Sequence, residues 1–126
     1  MAAITVLTEY SNPADNQSFA VKGIKAVTQV YAATSIPLFT TAKEQHFCYA
    51  QLTGAMTINA ATVLTGFRQF DIVHFHFSSD ASIRVITFGT GFASAGTLST
   101  VASKDATATF IFDGVALKEM SRSIGA

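Results

Sequence analysis

The feature of this sequence that most constrains its fold is an alternation of apolar and polar residues with a period of two. It is clearest in residues 68–77, 82–88 and 106–112, where Thr, Val, Ile and Phe dominate. Neighbouring side chains of a β-strand point to opposite faces, so this alternation is typical of strands with one buried face. β-Branched and aromatic residues also suit a pleated, half-buried surface. The pattern therefore predicts a protein built from β-sheets.

Short clusters of Ser, Asp and Gly separate these runs and predict turns. Asp113-Gly114 predicts a two-residue hairpin of type I′, in which both central residues have positive φ. Gly89 and Gly91 are expected to let the chain turn tightly between strands. Short strands with turns at regular spacing indicate an all-β fold, and we predict an antiparallel, jelly-roll-like β-sandwich or barrel. The predicted strands cover residues 3–8, 19–32, 36–41, 46–53, 55–60, 68–77, 82–88, 97–102, 106–112 and 115–121.

The 126 residues fit one compact domain with two parts of different character. Residues 1–42 include a polar turn cluster and are predicted to form an N-terminal β segment or arm. They are interpreted either as an extra sheet layer or as an arm that reaches a neighbouring subunit. Residues 43–126 are more apolar and more regular, and they are predicted to form the main β-domain. Within them, Lys43-Glu44-Gln45 is the stretch that favours a short helical turn.

Charge is sparse: charged residues make up 13% of the chain, with 8 Lys and Arg against 8 Asp and Glu. An ordinary domain carries about 25%. Zero net charge argues against nucleic acid and membrane surfaces as partners. The low charge predicts instead that part of the outer surface is buried against other chains, as in a homo-oligomer. The single Cys48 excludes an internal disulfide and indicates folding in a reducing compartment.

Phenylalanine is the dominant aromatic residue, with 11 copies and no Trp in the chain. Their positions in the strand-like runs predict an aromatic core or a subunit interface, because buried aromatic rings dominate the energetics of both. The residues expected there are Phe70, Phe75, Phe77, Phe88, Phe92, Phe110 and Phe112.

His74-x-His76 is the one arrangement that resembles a metal site, because residues i and i+2 of a strand share a face. A zinc site needs a third ligand, for which His46, Asp71 and Asp80 are the candidates. Asp71 is expected on the opposite face of its strand. Two ligands do not make a site, so we predict no metal and no cofactor, and His74, His76 and His46 are the candidate ligands if a metal does bind.

Two further patterns suggest catalysis at first sight. His46 and Cys48 share a strand face, but a free Cys among apolar residues packs as a small hydrophobic residue. Gly89-Thr90-Gly91 follows a strand, yet no helix pattern and no Lys-Ser/Thr pair come after it, as a phosphate-binding loop requires. We therefore predict no catalytic residues and no enzyme activity.

Residues 51–123 contain four motifs in a fixed order, in Ser82–Phe92, Ala95–Leu98, Thr107–Gly114 and Glu119–Ser123. In order and spacing they resemble a module of tailed-phage virion proteins, which occurs in tail-fibre, head-fibre and capsid-decoration proteins. The module reads R-x-(V/I)-T-F-G-x-G-F, then G-T-L, then T-F-x-(F/Y)-D-G, and ends on W-x-E-x-S-R. Leu117 stands where the module has Trp.

The resemblance implies a trimerising β-structure and a structural protein of a phage particle, either a capsid decoration (cement) protein or a minor virion protein. Its implied partners are further copies of itself, as a homotrimer, and other virion proteins such as the major capsid protein. It would be made in the bacterial host cytoplasm and would end in the virion. Two alternatives stay open. One is a glycan- or receptor-binding module of a phage fibre that uses loops 78–80 and 89–96; the other is a small β-barrel ligand carrier or enzyme.

Overall fold

The computed structural model describes residues 23–37, 39, 42–60 and 67–125, which form ten strands and no helix. The predicted all-β class is confirmed, while the predicted strand 3–8 lies outside the described residues. The strands are β1 (Ile24–Gln29), β2 (Thr34–Ser35), β3 (Glu44–Leu52), β4 (Met56–Ile58), β5 (Ile72–Ser79), β6 (Val85–Phe88), β7 (Phe92–Ala93), β8 (Leu98–Ser99), β9 (Asp105–Phe112) and β10 (Leu117–Ile124).

The chain winds between two sheets. The larger sheet has the order β1-β3-β5-β9-β10-β7 and the smaller sheet β2-β4-β6-β8, so successive strands from β1 to β6 alternate between them. Each turn of the winding lies beside the previous one with its strands in the same direction, and the pairs β1·β3, β3·β5, β2·β4 and β4·β6 are parallel. The expectation of an antiparallel, jelly-roll-like fold is therefore wrong for this region. Alternation with a period of two is the same in parallel and antiparallel strands, so it did not distinguish them.

Residues 24–35 extend these two sheets. β1 is the edge strand of the larger sheet beside β3, and β2 is the edge strand of the smaller sheet beside β4. Within residues 1–42, the two described strands therefore pair with strands of the same chain.

The C-terminal part is antiparallel where β9 pairs with both β5 and β10. The loop between β9 and β10 spans residues 113–116 and is closed by the Asp113 side chain, whose Oδ1 accepts the N–H groups of Val115 at 2.8 Å and Ala116 at 2.9 Å. Gly114 has a φ of 104°, and Asp113 is not among the residues with positive φ. The predicted type I′ turn is therefore wrong, since it needs positive φ at both positions.

The core lies between the two sheets and is rich in phenylalanine. Phe110 of the larger sheet is fully buried, and its ring lies 4.8 Å from that of Phe88 in the smaller sheet. Phe75, Phe77, Phe88 and Phe112 are also buried, and Phe92 packs against the cluster. Phe70 is the exception, because it precedes β5 in a turn with a φ of 78° and is 60% exposed. It is therefore not a core residue.

Candidate functional site

The outer face of the larger sheet brings all three histidines together. The parallel register of β3 and β5 sets His46 directly beside His74, with ring centroids 4.3 Å apart and nearly parallel planes. His76 follows two residues later on β5, with its ring 5.2 Å from that of His46. The side chain of Glu44, two residues before His46, lies on the same face. We call these four residues the histidine cluster.

The Glu44 carboxylate joins two of the rings. Its Oε2 lies 2.9 Å from Nε2 of His46 and 3.2 Å from Nε2 of His74. One ligand-type atom from each of these three residues lies within 4.8 Å of the others. The sequence analysis paired His74 with His76, but the three residues that come together are His74, the candidate His46 and the unforeseen Glu44, and His76 is not among them.

The second nitrogen of each of these rings is also engaged. Nδ1 of His46 lies 3.0 Å from Nε2 of His76, and Nδ1 of His74 lies 3.0 Å from Oγ1 of Thr109 on β9. A histidine ring fixed through both nitrogens has a defined orientation, and its tautomer follows from its partners. Both rings thus present Nε2 to the same carboxylate oxygen.

The protonation states follow from burial and charge. Burial lowers the pKa of His74 and of His76, and the nearby His46 ring lowers both further. The hydrogen bond with His46 holds the pKa of the Glu44 carboxyl below its ordinary value. At neutral pH the cluster therefore presents neutral imidazoles at His74 and His76 beside an ionised carboxylate.

The two aspartates considered as third ligands lie elsewhere. Asp71 is buried, and its Oδ2 accepts the N–H of Arg68 at 2.8 Å in the turn before β5. Asp80 forms a bidentate pair with Arg84, whose Nε donates to Oδ1 at 2.8 Å. Both carboxylates hold loop structure and take no part in the histidine cluster.

Cys48 and a shallow cleft adjoin the cluster. The register pairs half-buried Cys48 with His76, which places the thiol on the outer face as predicted from its shared face with His46. Beyond His76, an open cleft of about 220 Å³ is lined by Tyr49, His76, Phe77, Ser78, Asp105, Ala106 and Thr107. The cleft shares His76 with the cluster, whereas Glu44, His46 and His74 lie outside it.

The glycines of the Gly89-Thr90-Gly91 turn serve packing. A Cβ at Gly89 would overlap the side chain of Asn59, whose Oδ1 accepts the N–H of Thr90 at 2.9 Å. Gly91 has a φ of 88°, and a Cβ there would lie 2.5 Å from that of Ala60. The turn thus lies directly against the chain after β4, and both glycines allow that close approach.

A second polar group joins β10 to the loop before β8. Arg122 donates from Nε to Glu119 Oε2 at 2.6 Å and, from its terminal nitrogens, to the carbonyl oxygens of Gly96 and Thr97 at 2.9 Å each. The Glu119 carboxylate, 6% exposed, also accepts the N–H of Ala95 at 2.9 Å. The motifs Ala95–Leu98 and Glu119–Ser123 of the phage-module resemblance thus meet in space. The resemblance had given their order but not this contact.

Comparison with known proteins adds no relative, since neither a protein-family model nor a curated protein matches this chain. The part of the chain that the structure describes contains no helix that could cross a membrane.

Proposed function

We propose that this protein is a structural component of a bacteriophage particle and that it acts by packing against further copies of itself, as a trimer that decorates or cements the shell. The proposal joins the resemblance of residues 51–123 to phage virion modules with the surface of the larger sheet. Its partners are then its own copies and a major capsid protein.

The observation that carries the proposal is the low charge of the outer face of the larger sheet. The outward positions are those that pair with one another across β1, β3, β5, β9 and β10 on the side away from the core. Their charged side chains are only Glu44, Asp105 and Lys118. The other outward positions are Ser, Thr, Ala, Gln, Cys, Ile and His. A solvated sheet face normally carries more charge, and a flat face depleted of it suits contact with another protein.

One end of the same sheet carries three exposed apolar side chains, beside Lys43, whose side chain is 61% exposed. Ile24 begins β1 and is 72% exposed, Phe70 precedes β5 and is 60% exposed, and Val115 is 84% exposed in the loop after β9. These residues lie where β1 and β5 begin and β9 ends. Exposed apolar side chains gathered at one place favour burial in an interface, because each removes apolar area from water on association.

The mass of the protein in solution tests this proposal. Light scattering at micromolar concentration is expected to give about three times the 13.3 kDa of one chain. Ile24→Asp should weaken the assembly, because it places a charge on the proposed interface. Ile83→Asp is the matched control, since Ile83 is 64% exposed in the loop before β6, away from that face. A monomer for the unaltered chain, or equal effects of the two variants, contradicts the proposed interface.

A second measurement addresses the particle itself. Mass spectrometry of purified particles of the phage that encodes this chain should find its peptides in a fixed ratio to the major capsid protein. Their absence from intact, washed particles contradicts the virion role even if the chain is a trimer.

A further inference from the structure

We infer that Glu44, His46 and His74 form a binding site for one divalent transition-metal ion of the zinc class on the outer face of the larger sheet. The inference goes beyond the proposed structural role and depends on the histidine cluster alone. It reverses the expectation of no metal, which rested on the lack of a third ligand.

The first argument is the spacing of the three donor atoms. Zinc binds histidine nitrogen and carboxylate oxygen at about 2.0–2.2 Å, so two ligand atoms of a tetrahedral site lie about 3.3–3.5 Å apart. Glu44 Oε2 lies 2.9 Å from Nε2 of His46 and 3.2 Å from Nε2 of His74. A shift of a few tenths of an ångström in the carboxylate brings its Oε2 to ligand spacing from both nitrogens, and the three atoms already lie within 4.8 Å of one another.

The second argument is the set of groups behind the ligands. A histidine that binds metal through Nε2 carries its proton on Nδ1 and donates it to a neighbour, which fixes the ring. Here Nδ1 of His74 faces Thr109 Oγ1, and Nδ1 of His46 faces Nε2 of His76, each at 3.0 Å. Both neighbours can accept a hydrogen bond, so both rings can direct an unprotonated Nε2 towards Glu44. His76 is thus a positioning residue for His46.

The third argument is rigidity. The three ligands lie on β3 and β5, which pair in register from Glu44 to Cys48, so the backbone fixes their separation before a metal binds. Sites on paired strands hold geometry more closely than sites on loops. A donor set of two imidazoles and one carboxylate favours zinc, nickel or copper over magnesium or calcium, which prefer oxygen ligands.

The remaining coordination position faces solvent. The side chains of His46, His74 and Glu44 are 26%, 25% and 33% exposed, so the ion is reachable from the outer face. Three protein ligands leave one position of a tetrahedral zinc ion for water. The same contacts can also exist without metal, as two imidazole N–H groups donated to one carboxylate, and the experiment distinguishes these two states.

The experiment uses the full chain, stripped with a chelator, and titrates it with Zn²⁺ at neutral pH by calorimetry. One ion per chain is expected, together with a higher melting temperature, and Mg²⁺ is expected to produce neither. Co²⁺ should give the visible absorption of a tetrahedral nitrogen and oxygen site. No zinc binding, or one ion per three chains, overturns the inference.

Variants connect the binding to the named residues. Glu44→Gln and His46→Gln should abolish the cobalt spectrum and weaken zinc binding by on the order of a hundredfold or more, because each removes a ligand. His76→Gln should weaken it by roughly tenfold to a hundredfold and keep the tetrahedral spectrum, as expected for a positioning residue. Asp105→Asn is the matched control, because Asp105 lies on the same face outside the cluster, opposite Ser78.

Melting curves of the metal-free variants show whether each is folded. If Asp105→Asn weakens binding as much as Glu44→Gln, the ion binds the surface non-specifically and the inference is wrong. The histidine cluster lies on the face proposed as the subunit interface, so light scattering is recorded on the same samples with and without Zn²⁺. Zinc binding by a monomer supports the metal site and contradicts the proposed trimer, whereas a trimer that binds no zinc overturns the metal site alone.

Discussion

The two parts of the molecule use polar residues differently. In the wound region, β1 to β6, parallel pairing places similar side chains beside each other, as with His46 and His74 on the outer face and Phe47 and Phe75 in the core. In the C-terminal region, β7 to β10, a single ion pair between Glu119 and Arg122 contacts one loop. In-register parallel pairing therefore aligns side chains of the same type along the sheet. The antiparallel hairpin is instead joined to a neighbouring loop by the ion pair between Glu119 and Arg122.

The largest expected effect comes from removing the ring that joins the two regions. Phe110 of β9 is fully buried, with its ring 5.8 Å from Phe75 and 4.8 Å from Phe88. Phe110→Ala should lower the free energy of unfolding by about 3–5 kcal/mol, through lost burial and the cavity left behind. Ile83→Ala is the control, since that side chain is 64% exposed and lies outside the proposed interface, and it should cost less than about 1 kcal/mol. Equal losses in urea unfolding would contradict the described core.

The next effect concerns the ion pair of the C-terminal region. Arg122→Met should cost about 2–4 kcal/mol, because it leaves the Glu119 carboxylate largely buried without its main partner. Arg84→Met removes the partner of the more exposed Asp80 and should cost clearly less. Hydrogen exchange at Ala95, whose N–H is bound by Glu119, should accelerate in Arg122→Met alone. If the two variants lose the same stability, the Glu119–Arg122 pair has no special role.

The pH dependence of stability provides a smaller effect from the same pair. The hydrogen bond from Arg122 lowers the pKa of Glu119 below its ordinary value of 4.5. A pKa lower in the folded than in the unfolded chain stabilises the fold above the unfolded value, and this stabilisation is lost as pH falls through the folded value. The free energy of unfolding should therefore fall less between about pH 7 and about pH 3 in Glu119→Gln than in the unaltered protein. Denaturant titrations at each pH measure this difference, and parallel curves would refute the assignment.

The last pair of variants separates backbone strain from steric contact at two glycines, and Gly114→Ala has the smallest expected effect. Gly114 has a φ of 104° with nothing within 4 Å of an added Cβ, so Gly114→Ala should cost about 1 kcal/mol from strain alone. Gly91 has a φ of 88°, and an added Cβ would overlap that of Ala60, so Gly91→Ala should cost more, about 2–3 kcal/mol. Thermal melting of the two variants gives the order. A more stable Gly91→Ala would mean that the turn after β6 does not pack on the chain after β4.

The strands were largely predictable from the sequence, whereas their partners were not. Alternation located β5, β6 and β9, since it reports which side chains are buried. β7 was missed, because two residues are too few to show a period. Parallel pairing was missed because it depends on residues far apart in the chain. One signal was available, because the segments that pair in parallel are similar in sequence. On β3 and β5 these are His46-Phe47-Cys48-Tyr49 and His74-Phe75-His76-Phe77, which pair in register through their first three positions. On β4 and β6 they are Met56-Thr57-Ile58 and Ile86-Thr87-Phe88.

The candidate site shows where sequence reasoning stopped. The shared face of His74 and His76 followed from the strand period alone. Glu44 was missed because Lys43-Glu44-Gln45 was expected to form a helical turn, while Glu44 and Gln45 begin β3 beside Ile72 and Val73. Local preference for a helix was overridden by pairing with a neighbouring strand, which supplies hydrogen bonds and burial that a short turn lacks. A ligand set assembled across strands is visible only once their register is known.

The difference in connection length has a consequence for the order of folding. The β9–β10 hairpin closes through residues 113–116, whereas the neighbours His46 and His74 are separated by a long stretch of chain. The entropy lost on closing a loop grows with its length, so the hairpin is the least costly nucleus. We expect pulse-labelled hydrogen exchange to find amides of β9 and β10 protected before those of β1 and β3. Simultaneous protection of all four strands would contradict this order.

This order of folding leaves apolar strands unpaired during synthesis. The ribosome makes the wound strands first and the hairpin that β5 pairs with last, so the phenylalanine-rich strands leave the ribosome before that partner exists. Unpaired apolar strands are prone to aggregate. A chain of this design is therefore expected to depend on chaperones, or on slow expression at low temperature, until translation has passed residue 124.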